Sequence, residues 1–260
     1  MEDMIKAGHA FHELPVEEKM KYHTEDKQKS RYSPNTLDKT KNKTVNWVDF
    51  FLMFSHLGFE NFDEWPDVCR EPGMEYCRGL RKMAERICGA LSEGLGLPAD
   101  YVQKAGLIDR QMLSLNYYPR CPDPNLALGV RDHSDPGTIT ILLQDQVAAL
   151  QVSKEGRWVS VEPLVNAFVV NVGDQMEILS NGRFRSAEHR AVLTEVKVSR
   201  LSLPTFFNPR LEAKVTPILW HVDGEKKKSY YKECVFGDYL SNFFGKEYDS
   251  KSALLFVRLP

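Results

Sequence analysis

From Met112 onward the chain falls into short runs rich in Val, Ile, Leu, Thr and Phe. They are bounded by turn signals such as Asp135-Pro136-Gly137, Lys154-Glu155-Gly156 and Asn181-Gly182. Runs of this length and composition are strands, and a succession of them without an interleaved helical period builds a sandwich or barrel. Polar residues fall two apart within three of these segments: Asn116 and Tyr118, His133 and Asp135, Arg200 and Ser202. Residues two apart on a strand point to one face. The inward face of a sandwich is ordinarily aliphatic, so such pairs either face water or serve a site.

The half before Met112 has a helical texture. Met4, Ala7 and Phe11 recur at three-to-four spacing, and Leu14-Pro15-Val16-Glu17-Glu18 restarts a helix with proline at its first turn. Residues 25–43 are lysine-rich without apolar period and read as a solvated loop. Trp47 to Phe54 is a dense apolar and aromatic segment that must be buried or line a pocket. Met74, Cys77, Leu80, Met83, Ala84, Ile87, Cys88 and Leu91 form one stripe of a long helix, which Gly94 and Gly96 end. The tail turns helical again around Tyr230 to Phe244. The expected organisation is an N-terminal helical region, 1–106, a β core, 107–210, and a C-terminal helical extension, 211–260, that packs on the core.

Composition narrows the function classes. Of 260 residues, 34 are Lys or Arg and 36 Asp or Glu, for a net charge of −2, so no overall field draws the chain to nucleic acid or an anionic membrane. Uninterrupted apolar runs such as Phe50–Phe54 are far shorter than the roughly 18 residues of a membrane span. The opening MEDMIKAGHAFHELP has neither a signal-peptide nor a transit pattern, which makes the cytoplasm the expected location. Five cysteines without a C-x-x-C pair fit reduced structural thiols, and Asn42-Lys43-Thr44 reads as a chance glycosylation match. No coiled-coil heptad or phosphate-cradling glycine loop appears, and oligomeric state is not legible.

The chemistry lies in the polar pairs. His133 and Asp135 offer an imidazole and a carboxylate on one strand edge, and His189 supplies a second imidazole from a later strand. Two histidines and one carboxylate on one face of a metal leave positions open, which suits non-haem Fe(II) activating dioxygen. Structural zinc takes four protein ligands, and harder cations take more oxygens. Arg200 in a β core is costly unless it meets an anion, and its planar fork grips a carboxylate while the Ser202 hydroxyl adds a further bond. Phe206 continues on the same face and either walls the space beside the metal or packs in the core.

Asn116-Tyr117-Tyr118-Pro119-Arg120-Cys121-Pro122, His133-Ser134-Asp135, Gly173-Asp174-Gln175-Met176-Glu177, Ser180-Asn181-Gly182, His189-Arg190 and Arg200-Leu201-Ser202 occur in order. Together with Leu14–Lys19 and Trp47–Phe51, they closely resemble the plant 2-oxoglutarate- and Fe(II)-dependent dioxygenases of specialised metabolism. The resemblance implies a double-stranded β-helix, or jelly-roll, core with flanking helices. It implies iron held by His133, Asp135 and His189. It implies 2-oxoglutarate bound at its distal carboxylate by Arg200 and Ser202, with Tyr118 assisting and Asn116 near the chelating end. Phe206, Phe50, Leu52 and Met53 fall where relatives contact the organic substrate.

The implied reaction couples decarboxylation of 2-oxoglutarate to succinate with hydroxylation, desaturation or demethylation. Its substrate is a small, largely apolar plant metabolite of flavonoid, hormone or alkaloid class, and dioxygen is consumed with ascorbate as a stimulant. Relatives carry a longer segment ahead of the Leu14–Lys19 motif. This keeps a second expectation alive: a catalytically silent member that retains the pocket for a small ligand, with an exposed sheet edge. Zinc hydrolysis by the same triad leaves Arg200 and Ser202 without a role, and Glu188 points away from His189 on a strand.

Overall fold

A computed structural model describes residues 1–34, 45–56, 61–123, 125, 127–193, 198–219, 221–222, 225–226, 228–245 and 251–260. In chain order the elements begin with α1 (Glu2–His12), α2 (Val16–Met20), β1 (Arg31–Ser33), β2 (Val45–Asn46), β3 (Asp49–Phe54), α3 (Asp67–Gly94) and α4 (Tyr101–Lys104). The central strands are β4 (Arg110–Tyr118), β5 (Ala127–Leu128), β6 (Val130–His133), β7 (Ile139–Gln144), β8 (Leu150–Lys154), β9 (Arg157–Ser160) and β10 (Val169–Val172). Then come α5 (Asp174–Leu179), β11 (His189–Ala191), β12 (Arg200–Asn208), β13 (Lys214–Val215), β14 (His221–Val222) and β15 (Glu225–Lys226). The chain closes with β16 (Cys234–Val235), α6 (Phe236–Gly245) and α7 (Ser252–Leu255).

Two antiparallel sheets face each other as a jelly roll. The larger has the order β1-β3-β4-β12-β7-β10 and the smaller β6-β11-β8-β9. Strand alternation splits the large sheet into two faces. Phe51, Met53, Leu113, Leu115, Ile141, Leu201, Leu203 and Phe207 are buried in the main apolar core, where α1 and α3 lie against the sheet. The residues between them, among them Asn116, Arg200, Ser202 and Phe206, line the pocket between the sheets.

Helix α3 presents Cys69, Tyr76, Cys77, Leu80, Ala84 and Cys88 at three-to-four spacing to that core. It begins before the apolar stripe does, just after Pro66, because proline suits a helix start. At its crossing with β3, a methyl on Gly73 would come within 2.9 Å of Met53 Cε and of the Trp65 ring, so the helix seats against the strand only where a side chain is missing.

Two sequence expectations change. The lysine-rich segment contains strand β1, pairing Arg31 with Leu52 and Ser33 with Phe50, because an edge strand needs only one paired side and tolerates charge on the other. Residues 35–43 of that segment, and Asn42-Lys43-Thr44, lie outside the described residues. The tail helix starts at Phe236, later than Tyr230, because Cys234–Val235 pairs with β13 and Tyr231 bridges Arg258. One apolar core runs from Met4 to Val257, and β1 and β3 belong to the large sheet.

Candidate metal centre and co-substrate pocket

His133 ends β6 and His189 begins β11, and the antiparallel register places them opposite each other with ring centroids 4.3 Å apart. Asp135 follows two residues after His133, in the turn leading to β7. Its Oδ1 lies 3.8 Å from His133 Nε2 and 3.7 Å from His189 Nε2, and one donor atom from each residue falls within 4.8 Å of the others. Each imidazole is oriented from behind, with His133 Nδ1 2.7 Å from the Arg131 carbonyl and His189 Nδ1 3.1 Å from that of Ala187. A protonated Nδ1 donates there, which leaves both Nε2 lone pairs directed at one point.

Asp135 is buried, and its second oxygen is occupied. Thr140 Oγ1 donates to Oδ2 at 2.6 Å and Asn171 Nδ2 donates at 2.8 Å. Burial pushes the Asp135 carboxyl upward, but His189, His133 and these two donors outweigh it and hold it below its ordinary value. Burial and the neighbouring His189 push His133 downward, towards the neutral form that binds metal. Behind the loop, the Asp174 N–H donates to the Asp135 carbonyl at 2.8 Å, while Ser134 and Tyr239 hydroxyls donate to Asp174 Oδ2 at 3.1 and 2.8 Å. Gly173 makes this approach feasible, since a methyl there would collide with the Gly137 carbonyl and sit 2.9 Å from that of Asp135. Two neutral nitrogens and one carboxylate oxygen, anchored from behind and clear in front, fit a divalent iron with open positions.

Arg200 and Ser202 lie on β12 opposite Tyr118 and Asn116 on β4. Arg200 is only 4% exposed, yet among the described residues its partners are all neutral: Nε donates to the Val147 carbonyl, Nη1 to Ser202 Oγ and Nη2 to Gln144 Oε1, at 3.0–3.1 Å. Its guanidinium stands 4.9 Å from the Tyr118 ring centroid. Among the described residues no carboxylate forms an ion pair with it. A buried cation with only neutral partners is a site for an external anion.

The structure thus brings His133, Asp135, His189, Arg200, Ser202, Tyr118, Asn116 and Phe206 to one pocket. Phe50 and Leu52 pair with Asn116 and Ser114, so they share the pocket's sheet face but stand two strands from β12, outside the lining. Met53 differs: it alternates to the opposite face and is 0% exposed against α3, so it packs in the core and offers a substrate nothing. Glu188 is likewise absent from the lining.

Thr140, Asn171 and Gln144 also serve the site, though none stands in a sequence motif. Asn171 gave a signal, a lone amide in the apolar run Val169-Val170-Asn171-Val172, while Thr140 and Gln144 look like ordinary strand residues. Away from this centre, His12 is a core residue, its Nε2 3.1 Å from the Leu115 carbonyl and its ring stacked 4.8 Å from Tyr117.

A jelly roll that offers two histidines and a carboxylate beside a buried arginine defines a non-haem iron oxygenase working with a carboxylate co-substrate. Residues 110–209 match the 2OG-Fe(II) oxygenase superfamily. The chain is 35% identical to feruloyl CoA ortho-hydroxylase 2 of Arabidopsis thaliana, covering 100% of this chain and 72% of that protein. It is 37% identical to scopoletin 8-hydroxylase of the same plant, covering 99% and 72%. Among solved structures, JOX2 in complex with 2OG, Fe and JA superposes with a TM-score of 0.88 at 34% identity, over 100% of this chain and 79% of that one. The chain belongs to the 2OG-Fe(II) oxygenase superfamily. It is an Fe(II)- and 2-oxoglutarate-dependent dioxygenase, and iron and 2-oxoglutarate are its cofactor and co-substrate.

Proposed function

We propose that this protein hydroxylates a small, largely apolar plant metabolite, with iron on His133, Asp135 and His189 and 2-oxoglutarate on Arg200, Ser202, Tyr118 and Asn116. The observation that carries the reading is the buried Arg200, which has a neutral partner at every nitrogen and lies in the same pocket as the three metal donors. The relatives named as hydroxylases of feruloyl CoA and scopoletin support hydroxylation over desaturation or demethylation. Among the described residues no helix is long and apolar enough to cross a membrane.

Iron(II) bound with 2-oxoglutarate supplies dioxygen activation, with the co-substrate leaving as succinate and carbon dioxide while a substrate C–H bond is oxidised. The protein's own work is positioning. Thr140 and Asn171 fix the Asp135 carboxylate so that Oδ1 alone faces inward, and the backbone carbonyls of Arg131 and Ala187 hold the two imidazoles. The guanidinium of Arg200, set on its neutral partners, waits for a carboxylate and fixes the co-substrate's direction. Phe206, with Phe50 and Leu52 farther along the same sheet face, offers the apolar surface against which the substrate rests and water is excluded.

Purified protein supplied with Fe(II), ascorbate and 2-oxoglutarate is expected to release succinate in step with substrate hydroxylation. His133→Ala, Asp135→Ala and His189→Ala are each expected to lower the rate at least 100-fold. Succinate release at the wild-type rate in the triple variant refutes the assignment.

A further inference from the structure

The pocket-facing surface of the large sheet does not stop at Phe206. Strand register continues it sideways: Thr140 on β7 opposes Phe206 on β12, which opposes Met112 on β4, which opposes Phe54 on β3. Directly opposed residues share a face, and neighbouring strands are about 4.8 Å apart, so Phe206, Met112 and Phe54 make an apolar track about 10 Å long. All three are half-buried, with surface to offer. Its inner end touches the metal centre, because Thr140 also holds Asp135.

Two cations flank its outer half. Arg110 is two residues before Met112 on β4 and therefore on the same face, opposite Asn208. Arg31 opposes Leu52, again on that face, with its guanidinium 5.9 Å from the Phe54 ring centroid. The His56 ring lies 5.3 Å from the same phenylalanine. Burial, then the charge of Arg110, holds His56 down to about 4, so it adds no cation of its own at neutral pH. Both arginines are half-buried, and burial lowers the pKa of each. Nη1 of Arg31 donates to the Lys27 and Lys29 carbonyls. Among the described residues neither guanidinium has a carboxylate within ion-pair distance; Glu212 acts on Arg110, and Asp26 and Glu25 on Arg31, only from farther away.

Two desolvated guanidiniums, with no close acid among the described residues, beside an apolar track that begins at the metal, describe a receptor for an amphipathic anion. We propose that Arg31 and Arg110 form an anion subsite for the organic substrate. The substrate then carries a carboxylate or phosphate about 10 Å from the oxidised carbon, joined by an apolar body lying on Phe206, Met112 and Phe54. This rests on the dioxygenase reading above and narrows its substrate class from apolar metabolites to acidic ones. The subsite is separate from Arg200, since Arg110 and Tyr118 occupy opposite ends of β4.

The test compares heads on constant bodies. Decanoate, 4-phenylbutanoate, their methyl esters, decyl phosphate and decanol are titrated onto protein loaded with Fe(II) and 2-oxoglutarate under argon, with melting temperature as the readout. The acids or the phosphate are expected to raise it and the esters and decanol to have little effect; carboxylate against phosphate decides which head the subsite takes. Arg31→Gln with Arg110→Gln should abolish the anion-dependent rise, while Arg31→Lys with Arg110→Lys should retain part of it. For an acidic substrate that is turned over, the glutamine pair should raise KM at least tenfold and change kcat less than threefold. Equal stabilisation by acids and esters, no stabilisation by any anion, or an unchanged anion response in the glutamine pair overturns the subsite. Consumption of 2-oxoglutarate by the wild-type protein without an organic substrate reports the dioxygenase reading separately.

Discussion

At the scale of single residues, the metal site depends on groups that never touch metal. Asp135 presents Oδ1 inward because Thr140 and Asn171 hold Oδ2. Asn171→Leu removes one of those donors at nearly constant volume, and losing such an outer partner lowers metal affinity by roughly 10–100-fold. Competition against a chromogenic chelator for Co(II) or Fe(II) measures this, and affinity within twofold of wild type contradicts the assigned role. The donors His133, Asp135 and His189 were legible because their side-chain types are scarce in strands and chemically compatible. Thr140 and Gln144 were not, because a strand threonine or glutamine looks the same whether it faces solvent or a carboxylate. Met53 shows the reverse error. The family resemblance groups it with Phe50 and Leu52, and strand alternation turns it to the other face.

At the scale of elements, α1 is fastened to the large sheet by His12, whose Nε2 meets the Leu115 carbonyl on β4 and whose ring stacks on Tyr117. Burial, only partly offset by that hydrogen bond, brings His12 down to about 3. In the unfolded chain the imidazole takes a proton below about 6.5, while the folded protein refuses it until about pH 3. The contribution is therefore complete above pH 6.5 and lost as pH falls through that window. Between pH 7.5 and pH 5 the loss is about 2 kcal/mol. His12→Gln can keep the bond to Leu115 without titrating, so urea unfolding at the two pH values should show the wild type losing about that much more than the variant. Equal losses argue against it. The helix itself was readable from Met4, Ala7 and Phe11, but β1 was not, because an edge strand of three residues carries too little pattern to stand out from a lysine-rich run.

At the scale of the whole molecule, the site is assembled from β4, the β6–β7 turn, β11 and β12, so ligands that bind it tie the two sheets together. Iron and 2-oxoglutarate, each present at a hundredfold its dissociation constant, should each add about 2.7 kcal/mol. For a chain of this size that is roughly 5–10 °C per ligand. His189→Ala should lose the iron-dependent part, and a wild-type melt that neither ligand moves contradicts the site. The sequence by itself determined the strand-rich class, the long helix, the iron donors and the arginine–serine pair, because each rests on short-range periodicity or on residue chemistry. Register, sheet order and the extent of the apolar core came only from the tertiary structure. The reason is physical: a strand's neighbours are chosen by long-range pairing, and one step of register exchanges the core face for the pocket face. That pairing put Met53 in the core, ran an apolar track from Phe206 to Phe54, and brought Arg31 to the same face as Arg110.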